Sequence, residues 1–175
     1  HAQCTPDPQY VLPGIYPDST IGLVNGFVGQ AYNEVITIVV PLDTTYQTIP
    51  ITFLDIELDT IIGLPANFSY SCAPTNCSFP GGSSGCVSIF STSNPTVADT
   101  GLYDIYVRST ATVDAGLLGV FSLTDTIDYY YIEILQQTYV PDSAFEAYLE
   151  ANGMGNGIPN DDAVTTANIN TVTSL

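Results

Sequence analysis

The sequence has 175 residues, of which eighteen are acidic, one is arginine and none is lysine, so its formal net charge is −17. Such a surface repels nucleic-acid phosphates and anionic membranes, and no apolar run approaches the roughly 20 residues that span a bilayer, so we expect neither nucleic-acid binding nor membrane insertion. Without lysine the chain has no Schiff-base or P-loop lysine, and with the single histidine His1 a Ser-His-Asp triad would have to use the chain terminus. We therefore expect a protein that is not an enzyme and has no cofactor.

The chain opens with His1-Ala2-Gln3-Cys4. This opening is similar to what remains after a signal peptide is removed at small residues. An even number of cysteines is typical of proteins that fold in an oxidising compartment. We therefore expect export through a signal peptide and an extracellular or cell-surface location.

Strands are predicted between about Tyr10 and Gln136. In this stretch β-branched or aromatic runs alternate with Pro, Gly, Asn and Asp, which is typical of an all-β sandwich rather than a βαβ fold. The clearest runs are Val35–Val40, Ile49–Leu54, Val87–Phe90, Tyr103–Ser109 and Tyr129–Leu135.

Three cysteines, Cys72, Cys77 and Cys86, lie close together, and Cys4 lies far upstream. Their spacing matches no paired zinc knuckle and no histidine is near, so disulfides are favoured over a zinc site. Three pairings are open to four cysteines. We favour Cys77–Cys86, which closes a small loop, and Cys4–Cys72, which holds the N-terminal strand and should contribute roughly 4 kcal/mol.

The run Asp99-Thr-Gly101-Leu-Tyr103 precedes one of the predicted strands. In immunoglobulin-like domains such an Asp-x-Gly-x-Tyr run leads into a late strand, and the tyrosine hydroxyl bonds back to the upstream backbone as a tyrosine corner. Position 105 is Ile, where antibody domains place a cysteine, so the antibody-type disulfide is missing. The run predicts an immunoglobulin-like β-sandwich, and an ordinary turn with a buried tyrosine is the alternative.

Five further segments form a set of motifs: Cys4–Tyr10, Gly29–Tyr32, Gly63–Phe68, the Cys72–Cys77 insert and Asn94–Tyr103. Together they resemble an immunoglobulin-like domain family of secreted Bacteroidetes-type surface proteins. The resemblance implies such a sandwich over residues 1–137, within a larger exported protein, and no enzymatic activity. The closing hairpin departs from the family, because Ser93-Asn94 stand where the family has Gly-Thr.

Residues 138–175 predict a short, helix-containing cap region. The helix would run over Val140–Gly153, with Ser143 and Glu146 at the spacing of a capping box and Gly153 as its end. Its apolar stripe would consist of Phe145, Tyr148 and Leu149.

The same region resembles the N-terminal cap of leucine-rich repeats in surface proteins of this kind. Ile169, Val172 and Leu175 have the spacing at which a repeat would begin. Stacked repeats need several units to bury their faces, so we expect a piece of a longer chain. A C-terminal helix that simply packs on the sandwich is the alternative.

Two kinds of surface site are predicted. Asn160, Asp161 and Asp162 offer the hard oxygen ligands that calcium prefers, although their spacing fits no EF-hand and a solvated acidic loop is the alternative. Five Asp-Ser/Thr sites resemble a Bacteroidetes-type O-glycosylation sequon, and their acceptors would be Ser19, Thr44, Thr60, Thr126 and Ser143.

These features together predict a non-catalytic structural or adhesive module of a larger secreted or cell-surface protein, exported by a type 9-like pathway. Its partners would be the secretion machinery and other surface proteins, glycans or copies of itself. One alternative is a self-assembling filament or surface-layer subunit. The other is a carbohydrate-binding accessory domain of a polysaccharide-degrading enzyme, with Tyr103, Tyr106 and Tyr129–Tyr131 as a stacking platform. Because strand residues alternate in direction, we expect these tyrosines to divide between core and surface.

Overall fold

A computed structural model describes residues 3–173 of the chain. The predicted signal-peptide junction at His1 and Ala2, and Leu175 of the predicted repeat spacing, lie outside the described residues. The helices are α1 (Ser143–Ala151) and α2 (Thr166–Ile169), and two short 3-10 turns cover Val97–Asp99 and Gly116–Leu118. The strands are β1 (Gly14–Tyr16), β2 (Gly26–Phe27), β3 (Asn33–Val39), β4 (Asp43–Tyr46), β5 (Ile49–Ile62), β6 (Phe68–Ala73), β7 (Ser78–Pro80), β8 (Ser84–Ser91), β9 (Gly101–Asp114), β10 (Val120–Leu135), β11 (Gln137–Tyr139) and β12 (Ala163–Thr165).

Two sheets share one hydrophobic core. The four-stranded sheet has the order β1-β3-β8-β6, and the six-stranded sheet has the order β2-β10-β9-β5-β4 with β7 paired on β5. The predicted all-β class is confirmed. Four of the five predicted strand runs lie within observed strands, and the fifth, Val35–Val40, extends one residue beyond β3. Alternate residues of both sheets fill the core, among them Ile36, Ile38, Val87, Ile89, Ile105, Val107, Ile132 and Ile134.

The three longest strands, β5, β9 and β10, continue beyond the four-stranded sheet. A second cluster of Ile51, Val113 and Ala115 packs between their extensions. The β9–β10 hairpin ends in a tip at which Leu117 is fully exposed and Leu118 is 68% exposed. The molecule therefore has a β-ribbon arm with an apolar end.

All four cysteines form disulfides, but the favoured pairing is wrong: the bonds join Cys4 to Cys86 and Cys72 to Cys77. The register of β6 with β8 gives the reason. Cys72 lies opposite Val87, and both side chains point into the core. Cys86 directly precedes Val87 on β8, so its side chain points to the opposite face of the sheet. Cys77 packs against the core, on the side of Cys72, and Cys4 lies on the other side.

The N-terminal segment covers the outer face of the four-stranded sheet. Besides the Cys4–Cys86 bond, the amide of Asp7 donates to Oγ1 of Thr37 over 3.0 Å. Thr37 on β3 lies opposite Cys86 on β8, and both side chains are buried. The sheet is therefore buried on both of its faces at this point.

The C-terminal residues form a small unit beside the sandwich. Strands β11 and β12 pair, and helix α1 packs on them through a cluster of Val140, Leu149 and Val164. The side-chain amide of Gln30 donates to Gln137 over 2.8 Å and joins the unit to the sandwich. This cluster is separate from the main core.

The predicted helix is confirmed, but its cap is Asp142, whose carboxylate accepts from the amides of Ala144 and Phe145. Ser143 is the first helical residue and cannot cap it. The predicted capping-box partner Glu146 is instead buried and accepts from the amide of Asp161 over 3.0 Å.

The apolar stripe of α1 is narrower than predicted. Leu149 is buried, whereas Phe145 and Tyr148 are 40% and 47% exposed, because β12 offers only a three-residue partner surface. Gly153 follows the helix with a φ of 70°, a conformation that suits glycine, as predicted for its end.

The two disulfides should differ in their contribution to stability. In the chain-entropy model the Cys4–Cys86 bond, which spans 82 residues, contributes about 4.5 kcal/mol and the Cys72–Cys77 bond, which spans 5, about 2 kcal/mol. We expect the Cys4→Ala/Cys86→Ala variant to lose more free energy of unfolding than Cys72→Ala/Cys77→Ala, as measured by urea denaturation. Equal losses would show that loop length does not determine how much each disulfide contributes to the free energy of unfolding.

Candidate functional site

The outer face of the six-stranded sheet is uncovered at its centre. Strand β9 alternates between core and solvent, with Ile105 fully buried. The register adds one residue from each neighbour, because Tyr131 lies opposite Asp104 and Ile62 lies opposite Tyr106. This surface, called the tyrosine face below, consists of Ile62, Leu102, Asp104, Tyr106, Arg108 and Tyr131.

The tyrosine face combines apolar side chains with the one arginine of the sequence. Ile62, Leu102, Tyr106 and Tyr131 are 54%, 62%, 40% and 47% exposed. Nε of Arg108 lies 3.6 Å from a carboxylate oxygen of Asp59. An exposed pair of this kind contributes little to stability, so the guanidinium can exchange Asp59 for another acceptor.

The predicted division of the tyrosines is confirmed, but the five do not form a platform. Tyr106 and Tyr131 are exposed on the tyrosine face, whereas Tyr103 and Tyr130 pack in the core. Tyr129 lies where the β9–β10 register shifts, with its ring edge-on to that of Tyr130 and the ring centres 4.6 Å apart. Of the five predicted tyrosines, Tyr106 and Tyr131 share this exposed surface.

The predicted tyrosine-corner hydrogen bond is present. The hydroxyl of Tyr103 donates to the backbone carbonyl of Asp99 over 2.9 Å. The Asp99 carboxylate accepts from the hydroxyl and the amide of Thr96, and these bonds lower its pKa. Asp99, Gly101 and Tyr103 thus fix the entry into β9, from which the tyrosine face is built.

A second feature, which the sequence analysis missed, is the carboxylate of Glu34. It lies on the core-facing side of β3, in the same alternating series as Tyr32, Ile36 and Ile38, and is half-buried. Within residues 3–173 no side chain or amide donates a hydrogen bond to it. Burial raises its pKa, and its charge adds to the burial that raises the pKa of the Tyr32 hydroxyl. The alternation Tyr32-x-Glu34-x-Ile36 was the sequence signal for it.

The predicted calcium ligands lie together in the exposed loop before β12. The carboxylate of Asp161 accepts hydrogen bonds from the backbone amide of Ala163 and from the side-chain amide of Asn156. Both of its oxygens therefore accept hydrogen bonds from within the loop. Asn160 and Asp162 are exposed on either side of it. In the described part of the chain, no group of three His, Cys, Asp or Glu side chains could hold a metal ion.

The predicted O-glycosylation acceptors are spread over the molecule. Ser19 lies in a turn, Thr44 in β4, Thr126 in β10 and Ser143 at the start of α1, all exposed, and Thr60 in β5 is half-buried. Their modification stays a prediction.

No protein-family model matches the chain, and no curated protein matches it. One solved structure with a similar part is that of a family 123 glycoside hydrolase from Clostridium perfringens, described for glycolipid glycan hydrolysis. The similarity covers 63% of this chain and 22% of that one, with 14% identity and a TM-score of 0.26, so we draw nothing about function from it. None of the helices within residues 3–173 has the length and apolar character needed to cross a membrane.

Removal of the corner hydroxyl should destabilise the sandwich. We expect Tyr103→Phe to lower the free energy of unfolding by about 1 kcal/mol, because the Asp99 carbonyl loses its donor. Tyr106→Phe removes the same atom from an exposed side chain and is the matched control. Urea denaturation measures both, and equal effects would mean that the hydroxyl bond contributes nothing.

Glu34 should make stability depend on pH. Because the pKa is higher in the folded state than the ordinary 4.5, the carboxylate costs stability at neutral pH and the cost vanishes as the pH falls below 4.5. We therefore expect Glu34→Gln to raise the Tm at pH 7 but not at pH 3. Glu57→Gln, which removes the same charge from an exposed position, is the control for general charge repulsion. An equal gain from both variants at pH 7 would contradict the burial argument.

Proposed function

We propose that the chain is an immunoglobulin-like, non-catalytic adhesive module of a larger exported protein, and that it binds its partner through the tyrosine face. The order of the strands supports the fold. With β1, β3, β5, β6, β8, β9 and β10 taken as strands A to G, the two sheets have the orders A-B-E-D and G-F-C of that sandwich. The tyrosine corner at the start of strand F supports it as well.

The exposed apolar side chains of the tyrosine face are the observation that carries the binding proposal. Four large apolar side chains remain in solvent on one face of this sheet, although the opposite sheet is covered by the N-terminal segment. Contiguous apolar patches with polar edges are typical of protein interfaces, in which tyrosine and arginine are enriched. Here Arg108 follows Tyr106 at one end of the patch, and Asp104 is a polar group within it, opposite Tyr131.

Export is supported by the two disulfides, which form in oxidising surroundings outside the cytosol. The secretion route and the larger protein are part of the proposal. The C-terminal unit would then be the start of a leucine-rich-repeat region, because Tyr139, Phe145 and Val172 leave an apolar groove open beside α1.

Substitutions on the tyrosine face test this proposal. The immobilised chain is probed with a glycan array and with purified extracellular proteins of the producing organism. We expect Tyr106→Ala and Tyr131→Ala each to weaken binding by about tenfold or more, the usual loss at an interface hot spot. Tyr46→Ala, a tyrosine of similar exposure on β4, should leave binding unchanged. Equal losses in all three variants would contradict this face as the site, and binding to glycans alone would favour the accessory-domain alternative.

Self-assembly is a second candidate, favoured by the apolar arm tip. Leu117 and Leu118 are the most exposed aliphatic pair on the arm, and no charged residue stands between Asp114 and Asp125 in the sequence. Sedimentation velocity of the purified chain tests it. Oligomers that dissociate in Leu117→Asn/Leu118→Asn would support a filament or surface-layer subunit, whereas a monomer at all concentrations would exclude it.

A further inference from the structure

One edge of the four-stranded sheet is open over half the length of β3. Strand β1 pairs with β3 only from Thr37 to Val39, so Asn33–Ile36 have no strand beside them on this side. The amide of Ser91 donates to the carbonyl of Tyr32, which shows that even-numbered residues of β3 bond to β8. The backbone groups of Asn33 and Val35 therefore point outward from the sheet edge.

This edge forms the floor of a cleft of about 550 Å³. One wall is the N-terminal segment Thr5–Tyr10, which the Cys4–Cys86 bond holds on the sheet. The other wall is the loop Pro17–Val24. The hydroxyl of Tyr130 donates to the carbonyl of Pro17, and that of Tyr32 to the carbonyl of Val24, so the core fixes both ends of this loop. Both walls are thus anchored and the cleft is preformed.

The cleft contains the half-buried carboxylate of Glu34, which has no positively charged group beside it among residues 3–173. Glu34 lines it beside apolar residues of the walls such as Pro8 and Ile21. A half-buried carboxylate without a counter-charge costs free energy, and a lysine or arginine placed beside it recovers part of that cost. Asp7 also lines the cleft, so its electrostatic potential favours a cation.

We propose that this cleft binds an extended segment of a partner protein, which adds to β3 as a further strand and places a lysine or arginine side chain beside Glu34. The outward backbone groups of Asn33 and Val35 would bond to the added strand, as in other cases of strand addition at a sheet edge. The cleft lies on the four-stranded sheet and the tyrosine face on the other, so this binding mode is independent of the proposed function.

A second copy of the chain is a poor donor for this strand. The sequence has no lysine, and its one arginine, Arg108, lies in mid-strand on β9 between β5 and β10, so it is not on a free extended segment. Two chains that each carry a formal charge of −17 also repel each other. Charge complementarity therefore favours a basic segment of a different protein.

A phage-displayed library of random linear heptapeptides, selected on the purified chain, provides the probe. We expect the enriched peptides to share one lysine or arginine between β-branched residues. The synthetic peptides should shift the NMR amide signals of Asn33 and Val35. Glu34→Gln should weaken their binding by about tenfold or more, since a charged hydrogen bond is lost. Glu57→Gln is the control and should bind as the wild type does.

Methylation of alternate peptide nitrogens separates strand addition from simple charge attraction. It should abolish binding, because the added strand loses its donors to the carbonyls of Asn33 and Val35. The proposal is overturned if no peptide is enriched, if the enriched peptides lack a basic residue, or if Glu34→Gln binds them unchanged. It is also overturned if the signals of Asn33 and Val35 shift with protein concentration alone, since the edge would then pair with a second copy.

Discussion

The register of β8 between β3 and β6 determines which surfaces of the molecule are covered. It turns Val87 and Ile89 into the core and Cys86 to the opposite face, so the cysteine can be reached only by a chain that crosses the sheet from outside. The N-terminal segment takes that path, and its disulfide seals the face. The six-stranded sheet receives no such cover. The alternation of side chains along β8 thus leads to a four-stranded sheet that is buried on both faces around Cys86, whereas the six-stranded sheet keeps one face exposed.

The same register shows how far the sequence could predict the fold. Period-two runs of β-branched residues identify β3, β5, β8, β9 and β10, because burial of one face leaves its mark within each strand. Disulfide pairing depends on which face each cysteine takes, and that follows from the pairing of β6 with β8, which local sequence does not encode. The helix cap was misplaced by one residue for a related reason: Asp142 and Ser143 both suit an N-cap, and the helix start decides between them.

The candidate sites also differ in how far local sequence predicts them. Tyr106 and Tyr131 were predicted as part of a divided set, since alternation assigns each to a side. The tyrosine face itself needed the register between β9 and its neighbours, which brings Ile62 and Tyr131 to the same surface. The sequence identifies Glu34 as a charged residue in an apolar alternating series. It does not predict that β1 pairs with only part of β3, which leaves the edge of β3 beside Glu34 open. The calcium site stays a prediction, and the structure adds that the Asp161 carboxylate accepts hydrogen bonds from its own loop.

The position of Arg108 has a consequence for proteolysis of the chain. Trypsin-like proteases cut after lysine or arginine, and this sequence offers them a single target bond. That bond lies in mid-strand on β9, with β5 hydrogen-bonded on one side and β10 on the other. A protease must draw its substrate into an extended, unpaired form, which here would require the centre of the six-stranded sheet to open. The scarcity of basic residues, together with this placement of Arg108, therefore protects the folded chain from one large class of proteases.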